Sequence, residues 1–480
     1  MEEAWILAID QGTHASRALL IDREGEVRFQ TRQPVALKRR DSVRAEQSAR
    51  ELLASVEQVV DAALAYAAEQ DAAVTAAGLA TQRSTVVAWD AHSGEPLYAA
   101  LSWQDRRGER QLNRFSARAG TVEKTTGLRL SPHYGVSKMS WMVESVPEVA
   151  AAASERRLMM GPLVSYLMFH LLEGSPHCYD VVNAGRTLLC DLESGEWSAE
   201  LVQAGGLRTE WLPHCRPVLE HYGYLKGTTI PLRAVTGDQN AALCAAGEPR
   251  GDWIQINAGS GAFVVRSIED RVDHAGPLLI SALWSDSGET RYLLEGTVNG
   301  AGAAIGWARD RWSLPAVEEA LADWPQCPSG PPLFLNAVGG LGSPWWRADI
   351  ESRWLDSMEP HNDVCRLAGV VESVLFLINA NVELVAQIGS PVTGVRVSGG
   401  LSRSDSWCQR LADIVALPVF RSDASEATAR GVAWLAAGRP AQWQGGITVS
   451  FTPHTDAQLR QRYTRFMAAV KSATAHETDH

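Results

Sequence analysis

Apolar residues run through Trp5 to Ile9 and again through Ala18 to Ile21, and the small and polar stretch "DQGTHASR" separates them. This pattern predicts two strands joined by a tight turn, with Gly12 supplying the backbone freedom the turn needs. From residue 46 the spacing changes: in "EQSARELLASVEQVVDAALAYAAE" (46–69) apolar positions recur at three and four, which predicts an amphipathic helix. An apolar strand candidate follows in "AGLATQRSTVVAWD". Further helices are predicted at 105–118, 137–152, 364–388 and 406–416. Strands alternating with helices indicate an α/β architecture with mixed sheets. The opening pattern returns half a chain later in "IQINAGSGAFVVR" (254–266), where Asn257 stands in the place of Asp10 and Ser260 supplies the turn hydroxyl. Either two domains share one plan, or two unrelated hairpins look alike.

At 480 residues the chain exceeds what one core usually holds, so two domains are expected, 1–247 and 248–480. A net charge of −12 excludes nucleic acid as a general partner, because phosphate backbones need a basic surface. The start, "MEEAWILAIDQ", has acidic flanks and a short apolar run, so neither a leader peptide nor a membrane span is expected, and the chain is placed in the cytoplasm. Seven scattered cysteines with no C-x-x-C pair predict reduced, mostly buried thiols and no zinc site. The terminal "HETDH" matches H-E-x-x-H in letters alone and reads as a tail. No G-x-x-x-x-G-K-[ST] motif occurs, which excludes a P-loop.

Candidate chemistry gathers in three places. The first turn carries Asp10, Thr13, Ser16 and Arg17 beside exposed backbone N–H groups, the parts of a site for a metal-bound polyphosphate. In "RAVTGDQNAALCAAG" (233–247), Asp238 stands at a strand-to-helix junction, where it is either an N-cap or a carboxylate able to take a proton from a substrate hydroxyl. In "VRVSGGLSRSDSWCQRLADIVALPV" (395–419), Gly399 and Gly400 precede a helix, as an ordinary β–α turn or as a place where a planar or anionic ligand approaches the backbone.

Taken together, these segments resemble the FGGY carbohydrate kinases, the glycerol kinase branch most closely, over nearly the whole chain. "DQGTHASRA" resembles the family's first phosphate turn, "TQRSTVVAWD" and "LSWQDRR" its substrate-side strands, and "GDQNAAL" its catalytic segment. "NAGSGAF" resembles the second phosphate turn, "EGTVNGAGAAIGW" and "GGLGSPWW" the ATP-domain core, and "SGGLSRSDSWCQRLADIVALPV" the adenosine-side loop. The resemblance implies two similar domains of the actin and Hsp70, or ribonuclease H-like, type, with ATP and sugar meeting in the cleft between them. It implies a kinase using ATP and Mg²⁺ to phosphorylate a hydroxyl of a sugar or polyol. Asp238 is then the general base and Asp10 the metal ligand. Thr13, Arg17, Gly259 and Ser260 lie by the phosphates, Gly302, Gly399, Gly400 and Ser404 by the nucleotide, and Arg83, Ser84, Trp103, His133, Asp238, Gln239 and Phe263 by the acceptor. Such chemistry rests on charge neutralisation and in-line positioning more than on covalent catalysis.

Departures from the pattern bear on the acceptor. Ser84 replaces a Glu that follows the Arg, and His133 in "SPHYG" replaces a Tyr. Without that carboxylate a charge-assisted contact to polyol hydroxyls is lost, and the smaller Ser leaves room for a longer substrate. Ser404 and Gly306 replace an Asn and a Gln near the adenosine. Outside the resemblance, Trp103 and Phe263 read as core aromatics, Arg83 as an ion-pairing residue and His133 as a loop histidine. Arg106 and Arg107 read as salt-bridging surface or interface residues. The alternatives kept open are a true glycerol kinase and a degenerate sugar sensor on the same scaffold. The acceptor's identity and the oligomeric state, with a homo-oligomer among the options, are left undetermined.

Overall fold

The computed structural model describes residues 4–272, 275–314, 327, 330–357, 362–422, 426–443 and 447–475. The "HETDH" tail lies outside the described residues. Two compact units divide the chain, and they are not its two halves. The first takes residues 1–249 together with 280–292 and 425–445, and the second takes 250–279, 293–424 and 446–480.

In the first unit, β1 (Ala4–Gln11) pairs antiparallel with β2 (Ala15–Ile21), and β2 with β3 (Val27–Pro34). On its other side β1 pairs in parallel with β4 (Ala73–Thr81), and β4 in parallel with β6 (Pro231–Gly237), beyond which lies β5 (Leu219–Tyr224). The order is β5-β6-β4-β1-β2-β3. Both faces are covered, which is why the central strands read as continuous apolar runs. Trp5, Leu7 and Ile9 share a core with Leu52, Val56 and Val59 of α1 (Ala49–Glu69), which starts at the N-cap Ser48. The opposite face receives the helix Ala427–Ala436, and glycines set the distance. A Cβ on Gly78 of β4 would lie 2.7 Å from the Val432 carbonyl oxygen, and one on Gly431 would overlap the Ala241 carbonyl oxygen.

Sequence boundaries shift where local chemistry intervenes. The helix expected over 137–152 is two, α2 (Gly135–Ser145) and Pro147–Ser154, because Pro147 forces Val146 into extended backbone. The stretch 105–118 begins as a loop and becomes a 3₁₀ turn at Glu109–Arg118. Its first residue, Asp105, is fully buried and binds Arg107, so Arg107 forms the salt bridges expected but is enclosed rather than on the surface. Its side chain is 6% exposed between Asp105 and Glu46, whereas Arg106 does lie outside, against Glu109.

The second unit repeats the strand plan. β7 (Trp253–Ala258) pairs antiparallel with β8 (Ala262–Ile268) and in parallel with β10 (Gly394–Ser398), and β10 in parallel with β11 (Val419–Ser422). With β9 (Thr290–Val298) and β12 (Ile447–Phe451), and with Leu279–Ser285 as a further strand beside β9, the sheet has seven strands, of which the last six run β9-β8-β7-β10-β11-β12. Read from the other edge, these six repeat the order of the first unit, and Leu279–Ser285 is an addition to it. The helix Asp363–Ala386 is apolar and long enough to cross a membrane, but 89% of its apolar window is buried within the protein. The expectation of reduced thiols fails for two cysteines: Cys327 and Cys365 form a disulfide. The other five are free.

Gly431→Ala tests the close helix contact. Helix propensity alone favours Ala by about 1 kcal/mol. Because the new methyl would overlap a backbone oxygen, a net destabilisation of about 1–3 kcal/mol is expected instead, read as a lower urea midpoint.

Candidate functional site

Parallel pairing puts the first unit's carboxylates at one end of its sheet. Asp10 of β1 is opposite Ala80 of β4, as is Thr236 of β6, so Asp238 follows two residues further on, at the same end of the sheet and two strands away. Asp238 is the first residue of α3 (Asp238–Leu243), but Gly237 occupies the N-cap, so the capping alternative does not hold. Its Oδ1 accepts the Gln239 N–H at 2.7 Å.

Both carboxyls are held above the ordinary carboxylate range. Asp10 rises from 3.8 to about 7, chiefly through burial, then through repulsion from Asp238, with Arg17 opposing and Glu426 adding to the rise. Asp238 rises through burial, opposed by Arg83, the Gln239 N–H and Arg186. Asp238 keeps 29% side-chain exposure against 8% for Asp10, so it is the carboxyl open to a visiting molecule. Arg17 Nη1 is 3.3 Å from Asp10 Oδ2, and its Nε is 3.3 Å from Glu426 Oε2. Ser16 faces the other way, its hydroxyl 2.7 Å from that of Ser55, as strand alternation requires. It takes no part in the site.

Arg83 joins the Asp238–Asn240 segment by three contacts. Nη1 donates to Asn240 Oδ1 at 2.9 Å, Nη2 to Gln239 Oε1, and Nε lies 3.9 Å from Asp238 Oδ1. Gly237 makes room for it, since a Cβ there would lie 2.5 Å from Arg83 Cγ and Cδ. Ser84 is buried with φ +62°, and its hydroxyl donates to the Arg186 carbonyl at 3.4 Å.

Thr13 is fixed from both sides. Its hydroxyl accepts Trp103 Nε1–H at 2.9 Å, and its carbonyl accepts from Gln47 Nε2 at 2.9 Å. Behind it, the buried Gln82 amide donates to Gln47 Oε1 at 3.0 Å and Gln11 Oε1 at 3.1 Å, and accepts from Thr85 Oγ1 at 3.0 Å. Thr85 Oγ1 accepts the Trp103 N–H at 3.1 Å, which closes the ring. The Trp103 ring meets the exposed His133 edge-on at 5.0 Å. Trp103 is therefore half-buried and anchored, not a core aromatic.

The remaining candidates belong to the second unit. Gly259 donates its N–H to the Gly261 carbonyl at 2.9 Å, and the carbonyls of Gly259 and Ser260 accept from Gly302 and Ala303, both at 2.9 Å. A Cβ on Gly302 would lie 2.7 Å from the Gly259 oxygen, so two turns meet through glycine. Ser260 is exposed, and Phe263 on β8 is half-buried. Gly399 has φ +91° and packs on Ala258, which only glycine permits, while Gly400 and Gly306 face open space. Ser404 caps the helix Asp405–Val415, its Oγ accepting the Trp407 N–H at 3.3 Å.

Sequence reasoning did not single out Glu426, Arg186 or the Gln11–Gln47–Gln82 brace. Glu426 and Arg186 come from distant segments that carry no motif of their own. The three glutamines sit beside quoted motifs, but isolated amides give no signal.

Comparison with known proteins agrees with this arrangement. The N-terminal domain of the FGGY family of carbohydrate kinases matches residues 5–244, and the C-terminal domain matches 254–438. A glycerol kinase of Cereibacter sphaeroides is 32% identical, with 98% of this chain and 99% of that protein covered. In fold, the chain is similar to Plasmodium falciparum glycerol kinase with ADP (TM-score 0.89, 22% identity, 99% of each chain). It is also similar to a ligand-bound xylulose kinase from Lactobacillus acidophilus (TM-score 0.85, 17% identity, 99% of each chain). The chain thus belongs to the FGGY family of carbohydrate kinases, phosphotransferases that act on an alcohol group.

Proposed function

We propose that this kinase transfers the terminal phosphoryl group of ATP to a hydroxyl of a sugar or polyol longer than glycerol, with Asp238 as general base and Asp10 as the protein's ligand to Mg²⁺. The observation that carries the reading is the pair of carboxyls, both raised, one nearly enclosed and one accessible. A base must be near its substrate and must hold a proton more readily than a free carboxylate does. Burial raises Asp238 as the second demand requires, and its partial exposure leaves it open to an acceptor.

The residues at Asp10 fit a magnesium ion. No cluster of three or more His, Cys, Asp or Glu able to hold a metal occurs among the described residues, so the protein would supply few ligands. That matches Mg²⁺, which keeps several waters and binds through one or two carboxylates plus substrate phosphates. Repulsion between Asp10 and Asp238 also leaves a deficit of positive charge there. The ion supplies neutralisation of phosphate charge when bound. Arg17 and the Thr13 turn orient the phosphate end, while Arg83, through Gln239 and Asn240, fixes the segment that carries the base.

Ser84 supports the longer acceptor. It is small, offers no carboxylate, and its hydroxyl is already engaged with the Arg186 carbonyl. The competing reading, a glycerol kinase proper, is favoured by relatives of that name such as the Cereibacter protein. A degenerate sensor would have no reason to keep both Asp10 and Asp238 ionisable.

Asp238→Ala is expected to abolish ADP release with Mg·ATP across glycerol, tetritols, pentitols, ketopentoses, ketohexoses and deoxysugars, while ligand-induced thermal stabilisation survives. In the wild type one of the longer acceptors should be used best. Efficient use of glycerol would overturn the argument from Ser84. Turnover by the variant would remove Asp238 from the role of base.

Asp10 also makes a stability prediction. Its folded pKa of about 7 exceeds the 3.8 of the free group, so between these values the native state holds a proton that the unfolded chain releases. The stability it contributes is full below pH 3.8 and is lost as pH rises through 7. Asp10→Asn should therefore raise the melting temperature of the ligand-free protein at pH 8 by roughly 2–6 °C, with no rise at pH 4, while Mg·ATP-dependent turnover is lost. Differential scanning fluorimetry at the two pH values checks the sign.

A further inference from the structure

Lys138 is fully buried on α2, four residues into the helix, and the chemistry above does not use it. Its Nζ donates to three successive carbonyls, Pro132 at 3.2 Å, His133 at 2.6 Å and Tyr134 at 3.2 Å. An ammonium has three protons to give, and here three oxygens receive them. Ser137 Oγ adds bonds to the Pro132 and Tyr134 carbonyls at 3.0 and 3.1 Å. On the outer side of this loop the His133 ring meets Trp103, whose Nε1–H holds Thr13 Oγ1. One line of contacts therefore runs from the buried ammonium through His133 and Trp103 to the phosphate turn.

Such a cation is costly to keep. Burial pushes its pKa down to about 7, with the Asp105 carboxylate opposing. The N-terminal turn of a helix is also the wrong end of the dipole for positive charge. A methionine would fill the same space without a charge to desolvate. What the ammonium alone supplies is the simultaneous fixing of three carbonyls.

We propose that Lys138 is a positioning residue for the acceptor site: it locks the 132–134 loop and so sets His133 and Trp103 against the bound sugar or polyol. This rests on the reading of those two residues as acceptor-lining. Lys138 touches no reacting atom.

The test compares full-length wild type with Lys138→Met and Lys138→Gln. Hydrogen exchange is followed over 131–136, where the amides of His133, Tyr134, Gly135 and Val136 are bonded to the Ser131 hydroxyl and to the Ser131, Arg186 and Thr187 carbonyls. KM for the best acceptor of the panel, KM for Mg·ATP and acceptor-free ADP release are measured alongside. Loss of the ammonium should speed exchange in this segment by ~10-fold and raise the acceptor KM by ~10-fold, the scale of one buried hydrogen bond. The Gln variant should show a smaller effect, and KM for Mg·ATP and acceptor-free release should stay at wild-type values in both. Unchanged exchange overturns the clasp whatever the activity. Faster exchange with an unchanged acceptor KM overturns the acceptor role, and equal loss of acceptor and ATP affinity marks a lysine that only holds the fold. If Lys138→Met does not fold, Lys138→Gln carries the same comparison. Wild type that phosphorylates no acceptor defeats the kinase reading and with it the acceptor role, while exchange still decides the clasp.

Discussion

Two like charges held near each other under partial burial are the constraint around which the first unit is organised. Asp10 and Asp238 sit at the same end of the parallel core of the sheet, separated by the strand Ala73–Thr81; burial favours the protonated form of both, and repulsion from Asp238 adds to it at Asp10. A lone pair of carboxylates so placed would neutralise. Three arginines keep ionisation within reach, Arg17 beside Asp10 and Arg83 and Arg186 acting on Asp238. Glu426 shares Arg17 and so limits how far that cation can lower Asp10. The result is one nearly enclosed carboxyl poised near neutrality and one accessible carboxyl raised by burial, two neighbouring groups in different environments, as the proposed division into metal ligand and base requires.

Positioning such groups needs rigid supports, and the supports are polar as often as apolar. The Gln82 amide ties Gln11, Gln47 and Thr85 together behind the Thr13 turn, and every member has a partner, the condition under which buried polar networks specify one geometry. Lys138 treats the 132–134 loop in the same way. Elsewhere the support is the absence of a side chain. Gly237 lets Arg83 lie across the segment that begins at Asp238, and Gly431 lets a helix reach the backbone of Ala241. The second unit builds its turns likewise, through Gly259, Gly302 and Gly399.

Local sequence carried much of this. Period and turn chemistry located the hairpin at Asp10, the helix after Ser48, the strand before Asp238 and the glycine turn at 399, because each depends on neighbours within a few residues. The echo between the two hairpins was also legible, and it corresponds to a shared strand order. Errors arose where a neighbour in sequence was not the deciding neighbour in space. Arg107, read as a salt-bridging surface or interface residue, makes its salt bridges while enclosed by Asp105 and Glu46, and Cys327 found a partner 38 residues away. Pro147 could have been read as a break, but the apolar spacing across it concealed one.

The order of motifs along the chain was enough for the family, the α/β class and the kinase chemistry, since strand, turn and helix signals are short-range and each motif carries its own residue types. Folding decided which charges meet. Glu426 reaches Arg17 across most of the chain, Arg186 acts on Asp238, and residues 280–292 and 425–445 join the first unit, all through pairings between segments well separated in sequence. No local pattern encodes such contacts. They exist because parallel strands need long crossovers, which bring the ends of distant segments to one edge of a sheet.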